Sequence, residues 1–455
     1  MRQKCNGRLP KKHSKNCPER YLWRYELHGL SQVIVAKTLT SRIVWVVLVL
    51  LCLLIAVFFT DKVVSEYIAR QTATLITFKR VNRLQLPIIV VCPKNPDAIN
   101  MEAVKKEIRS RFIFTTEKDT IDLISFAIAG SGLANMEPVV SQWTMLKIQR
   151  LNSLLLRWKG DRNYTQFYND LFFKNGYKCE DMFHSCFIGY DEFDCCEKFR
   201  PQYVMLRGKC FRMQQHFQTD PDYHGRVALQ IKQLPSPIVE SSKLQPQAVI
   251  FCSDNDTDIS TFPRFYVNMN ESIFVRFVAR FLRMSPWESE CSMLDEDKGR
   301  ATCYVKKYHE YRVLNPLNCS LFYLKHRAER YEVCAPLDIV YNYNVVVNGA
   351  LGFIDDKRCL PHCNRWYYEF KITRSEISLR FQPKNTTFFR FESGFADLKY
   401  ELYEEIRTTT LPGFVSQIGG QSGLFLGFSV MTLVQFFLLA FRLARYAVTV
   451  LKKRE

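Results

Sequence analysis

Two apolar runs without a single charge bracket the chain, at residues 43–59 and 418–441. Read as helices they reach roughly 25 Å and roughly 36 Å, so the second is long enough to cross a bilayer unaided. The first completes a crossing when extended over Arg42, or over Asp61 and Lys62 to Val63 and Val64, because long flanking side chains carry their charges to the interface. Forty-two mostly polar residues precede it, which argues against a cleaved signal peptide. Between the two runs the pattern is mixed. Runs rich in β-branched and aromatic residues predict strands at 86–91, 202–206, 248–251, 262–267, 366–372 and 379–381, while helical periodicity predicts helices over 101–112 and 273–282. No repeat or low-complexity linker interrupts this stretch. One folded unit is expected there, with the strands nearest the two membrane junctions sharing a sheet that can move both helices together.

Charge fixes the orientation. Residues 1–42 carry ten Lys and Arg against Glu19 and Glu26, and residues 442–455 carry five against Glu455. Basic flanks stay in the cytoplasm, so both termini are expected inside and the long middle outside. All five N-x-[ST] sequons, at Asn163, Asn255, Asn270, Asn318 and Asn385, fall in that middle, as do all cysteines except Cys5, Cys17 and Cys52. The expected class is therefore a membrane α+β protein: two transmembrane helices flanking a large disulfide-rich extracellular domain with a central β-sheet. Its parts are a cytoplasmic segment 1–42, transmembrane helix 43–64, extracellular domain 65–417, transmembrane helix 418–441 and cytoplasmic tail 442–455. The location is the plasma membrane, with two passes.

The net charge of +18 does not signal nucleic acid, because the basic residues form no aromatic-interleaved patch. The basic tails suit anionic lipid instead, at about 1 kcal/mol per residue near the surface. With 16 cysteines the chain is rich for a reducing cytosol, yet it has no CxxC pair and few nearby histidines, so neither a metal site nor a cofactor is expected. HExxH, P-loop, G-x-S-x-G and G-x-G-x-x-G motifs are all absent, and Asp191, Glu192 and Asp194 read as solvated loop charges, so no enzyme is expected.

The second apolar run carries the chemistry. It contains Gly419, Gly420, Gln421, Ser422, Gly423, Gly427, Ser429, Thr432 and Gln435. On a helix Ser422, Ser429 and Thr432 share one stripe, and Gly419, Gly423 and Gly427 form its neighbour. Small residues at four-residue spacing can be a helix-packing face. They can equally line a pore, where hydroxyls and bare backbone replace part of an ion's hydration shell and a glycine lets the helix break.

These residues resemble the epithelial sodium channel and degenerin family of trimeric cation channels, which includes acid-sensing channels, and in particular an invertebrate degenerin-like subunit. Residues 418–432 are similar to that family's second-span signature, and its selectivity-filter tripeptide G-x-S is here Gly427, Phe428, Ser429. His28 and Gly29 match its cytoplasmic gating motif. Residues 86–92 resemble its F-P-A-V-T-x-C strand, residues 177–213 its first cysteine block ending in Gly208, Lys209 and Cys210, and Pro286 with Trp287 and Cys291 the start of its thumb. The likeness runs from residue 28 to 441, with 95–175 and 213–280 matching poorly.

The resemblance implies disulfides Cys291 to Cys363, Cys303 to Cys359, Cys92 to Cys210, Cys186 to Cys195 or Cys196, and Cys319 to Cys334. A further family bridge is missing at both ends, where Lys307 and Lys357 stand. Cys179, Cys195, Cys196 and Cys252 are left unassigned, and an odd extracellular count leaves one cysteine over. The resemblance also implies a pore and gate built from Ser416, Gly419, Gly420, Ser422, Gly423, Thr432 and Gln435, and a coupling contact of Trp287 with Tyr67 or Arg70. The function it implies is a sodium-permeable channel, homo- or heterotrimeric with related subunits, gated through its extracellular domain by a ligand or tether that the sequence does not identify. Bulky Phe428, and Gln435 in place of the usual acid, open the alternative of a non-conducting regulatory subunit. A membrane-anchored receptor or adhesion protein would share the exterior but leaves the second span unexplained.

Overall fold

The structure is a computed structural model that describes residues 32–33, 36–112, 116–253, 258–259, 263–269, 271–286, 289–293, 299–349, 359–376, 388–434, 437–438 and 441. The chain divides into two compact units, Met1–Ala73 with Ile406–Glu455, and Thr74–Glu405.

Fourteen strands are described. They are β1 (Thr72–Arg80), β2 (Leu84–Gln85), β3 (Ile88–Pro93), β4 (Phe183–Ile188), β5 (Asp191–Phe193), β6 (Phe199–Val204), β7 (Gly208–Met213), β8 (Phe217–Gln218), β9 (Val227–Lys232), β10 (Gln247–Ser253), β11 (Arg264–Asn268), β12 (Glu271–Arg283), β13 (Asn364–Glu376) and β14 (Phe388–Arg407). Seven of them form one sheet in the order β13-β12-β14-β9-β4-β5, with β1 also pairing β14. Thus the strands adjoining the two apolar runs do share a sheet. A second, five-stranded sheet runs β11-β10-β3-β7-β6.

The helix expected over 273–282 is strand β12. Ile273, Val275, Phe277 and Ala279 are buried and alternate with the more exposed Phe274, Arg276, Val278 and Arg280. Apolar residues at 273, 277 and 281 satisfy a four-residue and a two-residue repeat alike. The β-branched and aromatic side chains favour the strand, and ladders to β13 on one side and to β14 in parallel on the other complete it. The strand expected at 86–91 begins only at Ile88, as β3, because Pro87 has no N–H for a ladder; Leu86 and Pro87 separate it from β2. The strand expected at 202–206 is β6 and ends at Val204, because Leu206 enters the left-handed region at φ 64° and Gly208 follows at φ 81°. The strand expected at 379–381 and the start of that at 262–267 lie outside the described residues. The strands at 248–251 and 366–372 lie within β10 and β13, and the helix at 101–112 is Met101–Arg111.

β3 explains the packing of the second sheet. All six of its residues are buried: Ile89 and Val91 face a large core shared with the first sheet, while Val90 and Cys92 face a smaller one with Val249 and Phe251. Each such apolar side chain contributes roughly 1.5–3 kcal/mol of transfer free energy. A separate core gathers the helices Met101–Arg111, Glu117–Ala129, Met145–Lys159 and Tyr164–Asn169 around Phe126, Trp158, Phe167 and Tyr168. Asn100, Thr116, Thr144 and Asn163 each accept a hydrogen bond from the backbone N–H three residues on, a cap that contributes about 1 kcal/mol per helix.

Six disulfides staple this unit: Cys92–Cys210, Cys179–Cys196, Cys186–Cys195, Cys291–Cys363, Cys303–Cys359 and Cys319–Cys334. Adjacent Cys195 and Cys196 therefore go to different partners, Cys196 to Cys179 rather than Cys186. The cysteine left over is Cys252, a buried thiol on β10 that burial pushes far above its ordinary pKa. Of the sequon residues, Asn163 and Asn318 are exposed; Asn255, Asn270 and Asn385 lie outside the described residues.

Candidate pore-forming site

The unit that holds both apolar runs is a helical hairpin. Its first helix is Leu39–Ile68, longer than the span 43–64 at both ends, and it carries Arg42, Asp61 and Lys62 within it. Thr38 caps its start, accepting from Ser41 N–H. Among the described residues it is the one helix both long and apolar enough to cross a membrane. Most of its side chains are exposed, and only Ala56 and Val63 are buried.

The second apolar run is not one helix. Leu411–Leu426 begins at the Thr410 cap, with Pro412 in its first turn, and stops at Gly427. Gly427 takes φ 70° and ψ 19°, a left-handed conformation that costs an L side chain roughly 1–2 kcal/mol and glycine almost nothing. Its N–H returns to the Gly423 carbonyl at 3.1 Å and the Phe428 N–H to the Ser422 carbonyl at 3.2 Å. Helix then resumes at residue 430. Ser429 and Thr432 start it with a reciprocal cap: Thr432 N–H donates to Ser429 Oγ at 3.2 Å, Ser429 N–H to Thr432 Oγ1 at 3.3 Å, and the two hydroxyls lie 3.1 Å apart. The break falls on the tripeptide Gly427, Phe428 and Ser429.

Three contacts hold the hairpin in antiparallel register. Tyr67 stacks on Phe414 with centroids 4.2 Å apart, Phe59 stacks on Phe425 at 5.9 Å, and Thr60 Oγ1 donates to Gln421 Oε1 at 3.4 Å. At the hairpin's open end Thr408 N–H reaches the Gln71 carbonyl at 3.0 Å. Gln421 thus has a structural partner, and Tyr67 finds its ring partner in Phe414. Neither contact follows from the sequence pattern.

The other expected site residues divide plainly. Ser416, Gly419 and Gly420 share the outward-facing surface of Leu411–Leu426. A Cβ added to Gly419 or Gly420 would meet no atom within 4 Å, whereas one on Gly423 would meet the Phe428 carbonyl at 3.4 Å. Ser422 is half-buried. His28, Gly29, Trp287 and Gln435 lie outside the described residues.

A sequence model of the amiloride-sensitive sodium channel matches residues 21–439 of the chain. No curated protein matches it. Among solved structures, a cryo-EM structure of a proton-activated chloride channel is similar at 8% identity and a TM-score of 0.34, covering 87% of this chain and 97% of that one. On the family match, spanning all but the chain's two ends, this protein belongs to the amiloride-sensitive sodium channel family, a family of plasma-membrane ion channels and not of enzymes.

Proposed function

We propose that the chain is a subunit of a trimeric, sodium-permeable cation channel, with both termini in the cytoplasm, residues 65–417 outside the cell and 418–441 lining the pore. The observation that carries this reading is the helix break at Gly427, Phe428 and Ser429. The Ser422 and Gly423 carbonyls are closed by the Phe428 and Gly427 N–H groups, but those of Leu424, Phe425 and Leu426 are left without intrahelical partners, inside an apolar run where lipid offers no donor. Three copies around an axis would turn those carbonyls and the Ser429 hydroxyl toward a permeating cation, which they favour electrostatically. Gating through the outer domain is supported by chain connectivity: three residues separate the first helix from β1, and three separate β14 from the second helix.

A second reading, a regulatory subunit that conducts only beside related subunits, is favoured by Phe428, a bulky ring at the narrowest element, and by Gln435 where a ring of carboxylates would attract cations. Expression in oocytes, alone and with a related subunit, under sodium, potassium and chloride substitution separates the two. Cation current from the chain alone supports the first reading. Current only on co-expression supports the second, and no effect on current in either setting sinks both.

A further inference from the structure

The Arg207-Gly208-Lys209 segment leading into β7 places two buried cations around one small cavity. Pro93, Leu133, Phe172, Tyr177, Arg207 and Lys209 are among its walls, where the five-stranded sheet meets the helical core. Arg207 is 7% exposed and Lys209 9%. The Arg207 guanidinium donates only to neutral acceptors, the Lys94 carbonyl at 2.9 Å and the Tyr266 hydroxyl at 3.3 Å, and its buried Nε has no partner among the described residues. The Lys209 ammonium lies over the rings of Phe173, Tyr177 and Phe211 at 4.8, 5.6 and 5.9 Å.

Ring faces attract a cation but do not neutralise it. Among the described residues no carboxylate forms an ion pair with either cation. Glu137 and Asp181 act only from a distance, and Arg264 and Lys178 add positive charge of their own. Burial accordingly lowers the pKa of both groups. A buried charge without a counter-charge is costly, and two of one sign sharing a wall are more so. The cavity is small, with room for one water or one monatomic ion.

We propose that this cavity is a structural anion site that takes a single halide, chloride in an extracellular setting, held between Arg207 and Lys209. The anion supplies the counter-charge both cations lack and joins the sheet to the helical core through Leu133 and Phe172. Polyatomic anions such as methanesulfonate do not fit the space.

The test is thermal unfolding of the purified full-length chain in detergent, in sodium chloride, sodium bromide and sodium methanesulfonate at equal ionic strength, so that general screening cancels. The expected result is a Tm about 2–4 °C higher in either halide than in methanesulfonate, saturating with halide concentration. The difference should vanish in Lys209→Gln and Arg207→Gln. Should Arg207→Gln fail to fold, Lys209→Gln and Arg207→Lys carry the comparison. Equal Tm in chloride and methanesulfonate for the unsubstituted chain would mean the cavity holds water only and would overturn the proposal. A halide effect of full size surviving in the variants would also overturn it, by placing the anion elsewhere.

Discussion

The two apolar helices of the hairpin differ in one respect that composition alone hides. Leu39–Ile68 runs 30 residues without interruption, with Thr60 the polar residue that pairs across to its neighbour. Its partner stops after 16 residues at a left-handed glycine and restarts on a serine cap. Both are apolar and outward-facing, so hydrophobicity does not distinguish them. What does is the placement of Gly427 and Ser429, which turn one helix into two half-helices with free backbone between them. On the proposed reading the first helix crosses the membrane without interruption, and the second crosses it while exposing polar groups.

Breaking the break should have the largest effect. Gly427→Val forces a β-branched residue to φ 70°, a strain of roughly 1–3 kcal/mol per copy and three times that in a trimer. Current is expected to fall to background at normal surface level, read by recording beside surface biotinylation; wild-type current would detach Gly427 from conduction. Next in size is Ser416→Val. Ser416 is exposed on Leu411–Leu426, and in the proposed trimer three copies meeting at a closed gate would leave no room for the added bulk. Constitutive current is expected, and resting current at the wild-type level with normal surface expression would remove Ser416 from the gate.

A smaller effect is expected from Phe428→Ala, which should widen the proposed filter and shift the sodium to potassium permeability ratio without abolishing current. An unchanged ratio in a channel known to contain this subunit would take Phe428 out of the pore lining. Smallest is the hairpin contact: a double-mutant cycle of Tyr67→Ala and Phe414→Ala should give a coupling of about 0.5–1.5 kcal/mol in unfolding free energy. A coupling near zero would mean the 4.2 Å stack contributes no more than its separate parts.

The sequence made some of this legible and hid the rest for physical reasons. That the second run can break at a glycine was legible, because one residue type tolerates that conformation at no cost, though not which of its glycines does so; the pairings of Cys291 with Cys363 and Cys303 with Cys359 were legible because their spacing resembles a family framework. The pairing of Cys179 with Cys196 was not, since two adjacent cysteines exchange partners at little cost in spacing. β12 misled because its apolar residues fit both periods, and only the flanking ladders choose. The helix Glu117–Ala129 escaped because from Leu123 onward it is buried on every side and shows no polar stripe. The Thr60 to Gln421 and Tyr67 to Phe414 contacts depend on hairpin register, which no local pattern encodes.

The most direct test of the contrast places one cysteine on each helix, Ser429→Cys at the break and Val47→Cys on the exposed face of Leu39–Ile68, both in a Cys52→Ser background. External cadmium, or a small charged thiol reagent, is then applied to the open channel. Ser429→Cys channels should lose most of their current within seconds while Val47→Cys channels keep theirs, because on the proposed reading only the broken helix faces the ion path. Block at Val47→Cys with Ser429→Cys untouched would contradict the account.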